Sequence, residues 1–140
     1  MPPHRGGVLT ASSFRGVVAA GDRRGRLLGF PTANLAVAAG EGEPPADGVY
    51  ACWVTLDGEA GPRGGTVSVG ANPTFDDVRD RRVEVHIHDF GGDLYGRGMH
   101  VEIVRLLREN ARLGGVGELT RKSAEDVRRS RAILARLRVA

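Results

Sequence analysis

The sequence from Phe14 onward consists of short apolar runs, each ended by turn-forming residues such as Asp57-Gly58 or Asn72-Pro73. The runs occupy residues 14–21, 49–56, 66–70, 82–90 and 99–107. None of them is followed by the helical crossover that parallel pairing of neighbouring strands would need. This pattern predicts a mainly β domain, either an antiparallel barrel or a sandwich.

In the run RVEVHIHDF at 82–90, apolar and polar residues alternate strictly from Val83 to His88. Because successive side chains of a strand point to opposite faces, one face carries Val83, Val85 and Ile87 and the other carries Glu84, His86 and His88. A polar strand face is most often the solvent side of a sheet. The alternative is a site in which Glu84 acts as a general base.

A third interpretation of the same strand is a transition-metal site of the cupin type. It would use the His86-x-His88 pair with Glu84 or Asp93. This interpretation is disfavoured because no second histidine motif follows, and His100 is badly placed to supply one.

The segment GDRRGRLLG at 21–29 is rich in glycine and arginine and leads directly into PTAN at 31–34. Glycines such as Gly21 let backbone N–H groups approach phosphate oxygens, and Arg26 could add positive charge. Neither the Walker pattern nor GxGxxG is present. Pro31 fixes the backbone ahead of Thr32 and Asn34, whose oxygens suit a hard cation such as Mg²⁺. A solvated hairpin turn is the alternative for this loop.

The period of the sequence changes to that of a helix near the C-terminus. The Ser123-Ala124-Glu125-Asp126 segment matches a helix start signal, and apolar residues from Val127 to Leu137 recur at helical spacing. Residues 97–140 hold eleven Lys and Arg against five Asp and Glu. A nucleic-acid platform would also need stacking aromatics, and aromatic residues make up 5% of the chain, so a solvated helix face is favoured.

Length and cysteine content limit the remaining possibilities. The 140 residues are enough for one core, so we expect a loose tail at 1–13 and a single domain at 14–140. Cys52 is the single cysteine, which fits a buried, inert thiol in a reducing cytoplasm. No apolar run approaches the length of a membrane span, so we expect no membrane partner.

Several motifs in a fixed order resemble the riboflavin kinase family. They are GVV at 16–18, GFPTAN at 29–34, DGVYA at 47–51, SVGANPTF at 68–75, VEVHIHDF at 83–90, DLYG at 93–96 and LRE at 107–109. The resemblance covers about residues 14–137. In this family the kinase module stands alone or forms the C-terminal half of bifunctional bacterial FAD synthetases. The resemblance implies a six-stranded, Greek-key-like antiparallel β-barrel capped by a C-terminal helix.

The resemblance also implies an activity, which is ATP-dependent phosphorylation of the riboflavin ribityl 5'-hydroxyl to FMN. Mg²⁺ or another divalent cation would accompany ATP. The expected roles are catalytic base for Glu84, metal and nucleotide binding for Thr32 and Asn34, and flavin binding for Arg108. The other expected nucleotide contacts are Gly21, Arg26, Ile87, Asp89 and Tyr95. We also expect a cytoplasmic monomer that binds no nucleic acid and produces FMN but not FAD.

One departure from the family pattern suggests an alternative function. Leu113 stands where the family usually has an aromatic residue, and Gly114 and Gly115 follow it. The alternative is a catalytically weak module of the same fold that binds flavin or nucleotide as a regulator. The retention of Thr32, Asn34 and Glu84 argues for the enzyme.

Overall fold

A computed structural model describes residues 12–19, 30–71, 81–109 and 116–139. These residues form six strands and one helix. The strands are β1 (Ser13–Ala19), β2 (Ala33–Ala36), β3 (Gly48–Leu56), β4 (Arg63–Ala71), β5 (Arg81–Ile87) and β6 (Gly98–Arg108), and the helix is α1 (Val116–Val139).

The six strands close into one antiparallel barrel in the order β1-β2-β5-β4-β3-β6. The consecutive strands β3, β4 and β5 form a meander, and β6 returns to pair with β3. That arrangement of four strands is a Greek key. The expected fold, a mainly β, six-stranded Greek-key barrel with a C-terminal helix, is therefore confirmed.

The apolar side chains divide into two clusters. The larger cluster fills the barrel and includes Phe14, Leu56, Val85 and Met99. The smaller cluster lies between the outer surface of the barrel and α1, where Leu134 of the helix packs with Val49, Ala51 and Leu107. Cys52 is fully buried in the barrel, and burial raises the pKa of its thiol strongly. This thiol is therefore inert, as the sequence predicts.

Both faces of β5 are buried, so the interpretation of its polar face as solvent-exposed is wrong. Val83, Val85 and Ile87 belong to the barrel core. On the outer face, Glu84 is 3% exposed, His86 6% and His88 8%. His86 Nδ1 lies 2.8 Å from the carbonyl oxygen of Pro31, and His88 Nε2 lies 2.8 Å from Thr66 Oγ1. These polar groups are buried because they have partners, as burial of a polar group requires.

The helix begins at Val116, seven residues before the predicted start at Ser123. Ser123 lies within the helix and is fully buried, and so is Ser130, two helical turns further along. The Ser130 hydroxyl donates a 2.8 Å hydrogen bond to the carbonyl oxygen of Gly65 in β4. Both serines thus belong to the face of α1 that packs on the barrel, and the start signal at Ser123 lies within the helix.

Strand β2 is the one element that the apolar runs did not predict. It has four residues and pairs with β1 on one side and β5 on the other. Pairing with both neighbours, which the local sequence does not show, determines this short strand. Among the described residues, no helix has both the length and the apolar character needed to cross a membrane.

Candidate active site

A pocket of about 670 Å³ opens where β1, β2 and β5 meet at one end of the barrel. Its walls are the end of β1, residues 30–34, two inward residues of β5 and the turn at 90–95. Four of the residues expected to bind nucleotide or metal line it together, namely Thr32, Asn34, Ile87 and Tyr95. Residues far apart in the sequence therefore meet at one site.

The turn that carries Tyr95 is held against β1. The Gly96 N–H donates a 2.9 Å hydrogen bond to the carbonyl oxygen of Val18, and Asp93 Oδ1 accepts one from the Tyr95 N–H at 3.0 Å. Gly96 has a φ of 82°, a conformation that favours glycine. The Tyr95 side chain is 67% exposed at the pocket. A large aromatic ring in this position is free to pack against a ligand.

Glu84 lies beside Asn34, because the two residues are register partners of β5 and β2. Register partners present their side chains on the same face, with Cβ atoms about 5 Å apart. On its other side, Glu84 faces Ser68 of β4. A buried carboxyl group beside a residue that lines a pocket is suited to general base catalysis.

The segment before β2 contacts the outer face of β5 through His86. Because the carbonyl oxygen of Pro31 can only accept, His86 Nδ1 carries the proton and donates it. The Phe30 ring lies against the same imidazole, with centroids 5.0 Å apart. Burial lowers the pKa of His86, although the Pro31 carbonyl opposes that effect. His86 is therefore neutral near pH 7.

Thr32 and Asn34 suit a hard cation. Both are half-buried, both line the pocket, and their side chains offer oxygen donors two residues apart. In the part of the chain that the structure describes, no group of three His, Cys, Asp or Glu could hold a metal ion. A site with two protein oxygens fits Mg²⁺, which usually keeps water and substrate phosphates as its other ligands.

Two of the expected site residues lie away from this pocket. Asp89 has a φ of 57°. Its carboxylate forms a bidentate ion pair with the guanidinium of Arg131 in α1, with both hydrogen bonds at 2.9 Å. That hydrogen-bonded pairing lowers the pKa of Asp89. Arg108, at the end of β6, donates from Nε to both carboxylate oxygens of Asp126, at 2.8 and 3.1 Å. In the structure, both side chains are paired with the helix.

Residues 9–134 match the riboflavin kinase (flavokinase) family. The chain belongs to the riboflavin kinase family. The match covers most of the chain and confirms the resemblance carried by the GFPTAN and VEVHIHDF motifs.

Relatives with assigned names agree with the family. A bifunctional riboflavin kinase/FMN adenylyltransferase of Bacillus subtilis is 35% identical over 115 residues. That alignment covers 81% of this chain and 35% of the relative. The riboflavin kinase-like chain thus spans about a third of the length of this curated relative.

Solved structures share the fold. A Streptococcus pneumoniae chain described as a macrolide-efflux protein superposes with a TM-score of 0.71 at 35% identity, covering 85% of this chain and 38% of that one. A riboflavin kinase from Trypanosoma brucei superposes with a TM-score of 0.62 at 24% identity, covering 88% of this chain and 76% of that one. Both superpositions support the barrel architecture of this riboflavin kinase family member.

Some expected residues lie outside the described ranges. They are Gly21 and Arg26 of the glycine-rich loop, Leu113, and residues 72–75 of the NPTF motif. Their roles stay predictions.

The sequence did not predict the partners of two buried side chains in this riboflavin kinase family member. It predicts a solvent-exposed or metal-binding strand face for His86, and it places Asp126 in a helix start signal. The clue for Asp126 was its spacing of three from Ser123 and four from Ser130, which places all three residues on one helical face. No local signal in the sequence shows that His86 faces Pro31, because the two residues are 55 positions apart.

Proposed function

We propose that this chain transfers the γ-phosphoryl group of ATP to the 5'-hydroxyl of riboflavin, giving FMN and ADP. The observation that carries the proposal is the pairing of Glu84 with Asn34, which lines a pocket together with Thr32. Membership of the riboflavin kinase family supports riboflavin as the acceptor.

Glu84 acts as the general base in this proposal. Its carboxylate accepts the proton of the ribityl hydroxyl while the hydroxyl oxygen forms a bond to the γ-phosphorus. The bond from the γ-phosphorus to the bridging oxygen breaks, and ADP leaves. Burial of Glu84 at 3% exposure keeps water away from this proton transfer.

Thr32 and Asn34 bind the triphosphate together with its cation. Mg²⁺, or another divalent ion, supplies positive charge that neutralises the phosphate oxygens. Ile87 and Tyr95 line the rest of the pocket and contact the nucleotide, with Gly21 and Arg26 of the preceding loop on its phosphates. Asp89 and Arg108 complete the proposed set, Asp89 on the nucleotide side and Arg108 on the flavin side. In the structure, both side chains make ion pairs with α1.

We further propose that the chain acts as a monomer in a reducing cytoplasm. The buried thiol of Cys52 supports the compartment. Among the described residues, the exposed large apolar side chains are dispersed over β1, the 90–95 turn, β6 and α1, which supports the monomer.

The direct test is to incubate the protein with riboflavin, ATP and Mg²⁺ and to separate flavins by chromatography. We expect FMN to form in amounts equal to ADP. Flavin binding by calorimetry with no FMN at high protein concentration would overturn the kinase and support a regulatory binding module. Omission of Mg²⁺ with excess chelator is the control and should abolish the reaction.

A further inference from the structure

The contact between His86 and Pro31 joins the outer face of β5 to the segment that carries the proposed nucleotide ligands. His86 is 6% exposed, its Nδ1 donates to the Pro31 carbonyl at 2.8 Å, and its ring lies 5.0 Å from that of Phe30. Two adjacent residues of the segment, Phe30 and Pro31, are thus held by one side chain.

The segment needs this contact because strand pairing stops before it. Between β2 and β5 the register pairs are Ala33 with Val85 and Asn34 with Glu84. Between β2 and β1 the last pair on this side is Asn34 with Ala19. Thr32 therefore lies beyond the ladder on both sides. Pro31 has no N–H to donate, so its carbonyl is the backbone group through which it can be fixed.

We propose that His86 is a positioning residue, which sets the place of Thr32 and Asn34 for the nucleotide by holding the Pro31 carbonyl. This inference rests on the proposed function, because it concerns the same pocket. His86 touches neither substrate nor metal in the proposal; it acts through the segment 30–32. The hydroxyl oxygen of Thr32 and the amide oxygen of Asn34 are then already in position for the triphosphate. Less conformational entropy of the segment is therefore lost on binding.

The test compares three variants at position 86. In His86→Asn the amide nitrogen occupies nearly the place of Nδ1 and can still donate to the Pro31 carbonyl. In His86→Gln the amide reaches the place of Nε2 instead, and His86→Leu removes the donor. We expect the leucine and glutamine variants to raise the KM for Mg-ATP about tenfold, the effect of losing one buried hydrogen bond. The KM for riboflavin should change less than about twofold, and the asparagine variant should stay close to wild type.

His88→Leu is the matched control. His88 is equally buried, lies on the same face with its ring 5.6 Å from that of His86, and bonds Thr66 instead of the segment 30–32. Each leucine variant removes the buried hydrogen bond described for its histidine, so both should lower thermal stability. We expect only His86→Leu to raise the KM for Mg-ATP.

A binding measurement separates this inference from the proposed kinase activity. Calorimetric titration with Mg-ADP, without riboflavin, should show the same tenfold loss of affinity for His86→Leu and His86→Gln. Equal effects of His86→Leu and His88→Leu, or no recovery in His86→Asn, would overturn the positioning role. If the wild type makes no FMN, the kinase proposal fails while the Mg-ADP titration still decides the role of His86. If His86→Leu does not fold, the Gln and Asn variants carry the comparison.

Discussion

Replacement of Arg108 by methionine tests how α1 is held to the barrel. Arg108 on β6 and Asp126 on α1 form an ion pair whose carboxylate is almost fully buried, with side chains 16% and 2% exposed. Methionine keeps most of the aliphatic stem and removes the charge. Asp126 then remains as a buried carboxylate that has lost this partner. Removal of one partner of a buried ion pair is strongly destabilising.

Protonation of Asp126 limits the cost. Breaking a buried ion pair costs about 3–5 kcal/mol. A carboxyl with an unfolded pKa near 3.9 can instead take up a proton, at about 1.36 kcal/mol per pH unit above that value. The free-energy cost of leaving Asp126 without Arg108 is therefore at most about 4 kcal/mol at pH 7 and about 1.5 kcal/mol at pH 5. Burial already raises the pKa of Asp126 in the wild type despite Arg108, so part of this penalty is present before the change.

The sign of the pH dependence follows from the raised pKa. The folded state binds the proton of Asp126 more tightly than the unfolded state, so stability falls as the pH rises through the folded pKa. Loss of Arg108 raises that pKa further. We therefore expect Arg108→Met to lower the free energy of unfolding by about 2–4 kcal/mol at pH 7 and by about 1.5 kcal/mol or less at pH 5.

Urea unfolding followed by tryptophan fluorescence measures this difference. Trp53, the single tryptophan, packs in the cluster between the barrel and α1 and so reports on the helix contact. The control is Arg108→Met combined with Asp126→Asn, which leaves no charge in this pair and should show a deficit that does not depend on pH. An equal deficit at pH 5 and pH 7 for the single variant would refute the reasoning.

Three further predictions concern the helix contact, the bridge between Gly42 and Phe14, and the nucleotide pocket. Ser130→Ala leaves the Gly65 carbonyl without its hydroxyl donor and should lower the free energy of unfolding by about 1–3 kcal/mol in the same urea assay; no change would contradict the contact. Gly42→Ala should cost at least about 1 kcal/mol, because Gly42 has a φ of 92° and an added Cβ would collide with the Ser13 carbonyl oxygen; Gly40→Ala, at a φ of 87° but with open space, should cost less. Asn34→Ala should raise the Mg²⁺ concentration needed for half-maximal FMN formation about tenfold or more; unchanged cation dependence would count against Asn34 as a ligand.

The sequence predicts the barrel well because strand alternation and turn residues are local signals. Val83, Val85 and Ile87 point inward, as their alternation requires. The burial of the opposite face depends on residues that are distant in the sequence. The side chains of Glu84 and His86 are covered by parts of the chain distant in sequence, and a polar face looks the same whether water or Pro31 lies against it.

The candidate site was likewise predictable where local motifs indicate it and not where it depends on contacts distant in sequence. The PTAN and VEVHIHDF motifs indicated Thr32, Asn34 and Glu84. In the structure Thr32 and Asn34 line one pocket, and Glu84 is the register partner of Asn34. The sequence did not predict strand β2, which depends on pairing with both neighbours. It also did not predict residues 116–122 of α1, because the helix start signal lies at Ser123.

The role of Glu84 is tested most directly by single-turnover formation of FMN in Glu84→Gln, with saturating Mg-ATP and riboflavin. Glutamine keeps the size of the side chain and cannot accept the proton of the hydroxyl. We expect the rate to fall by about 10² or more, as for loss of a general base, while calorimetric Mg-ADP affinity stays within about threefold of wild type. A near-wild-type rate of FMN formation in this variant would contradict the assignment of Glu84 as the base of a riboflavin kinase.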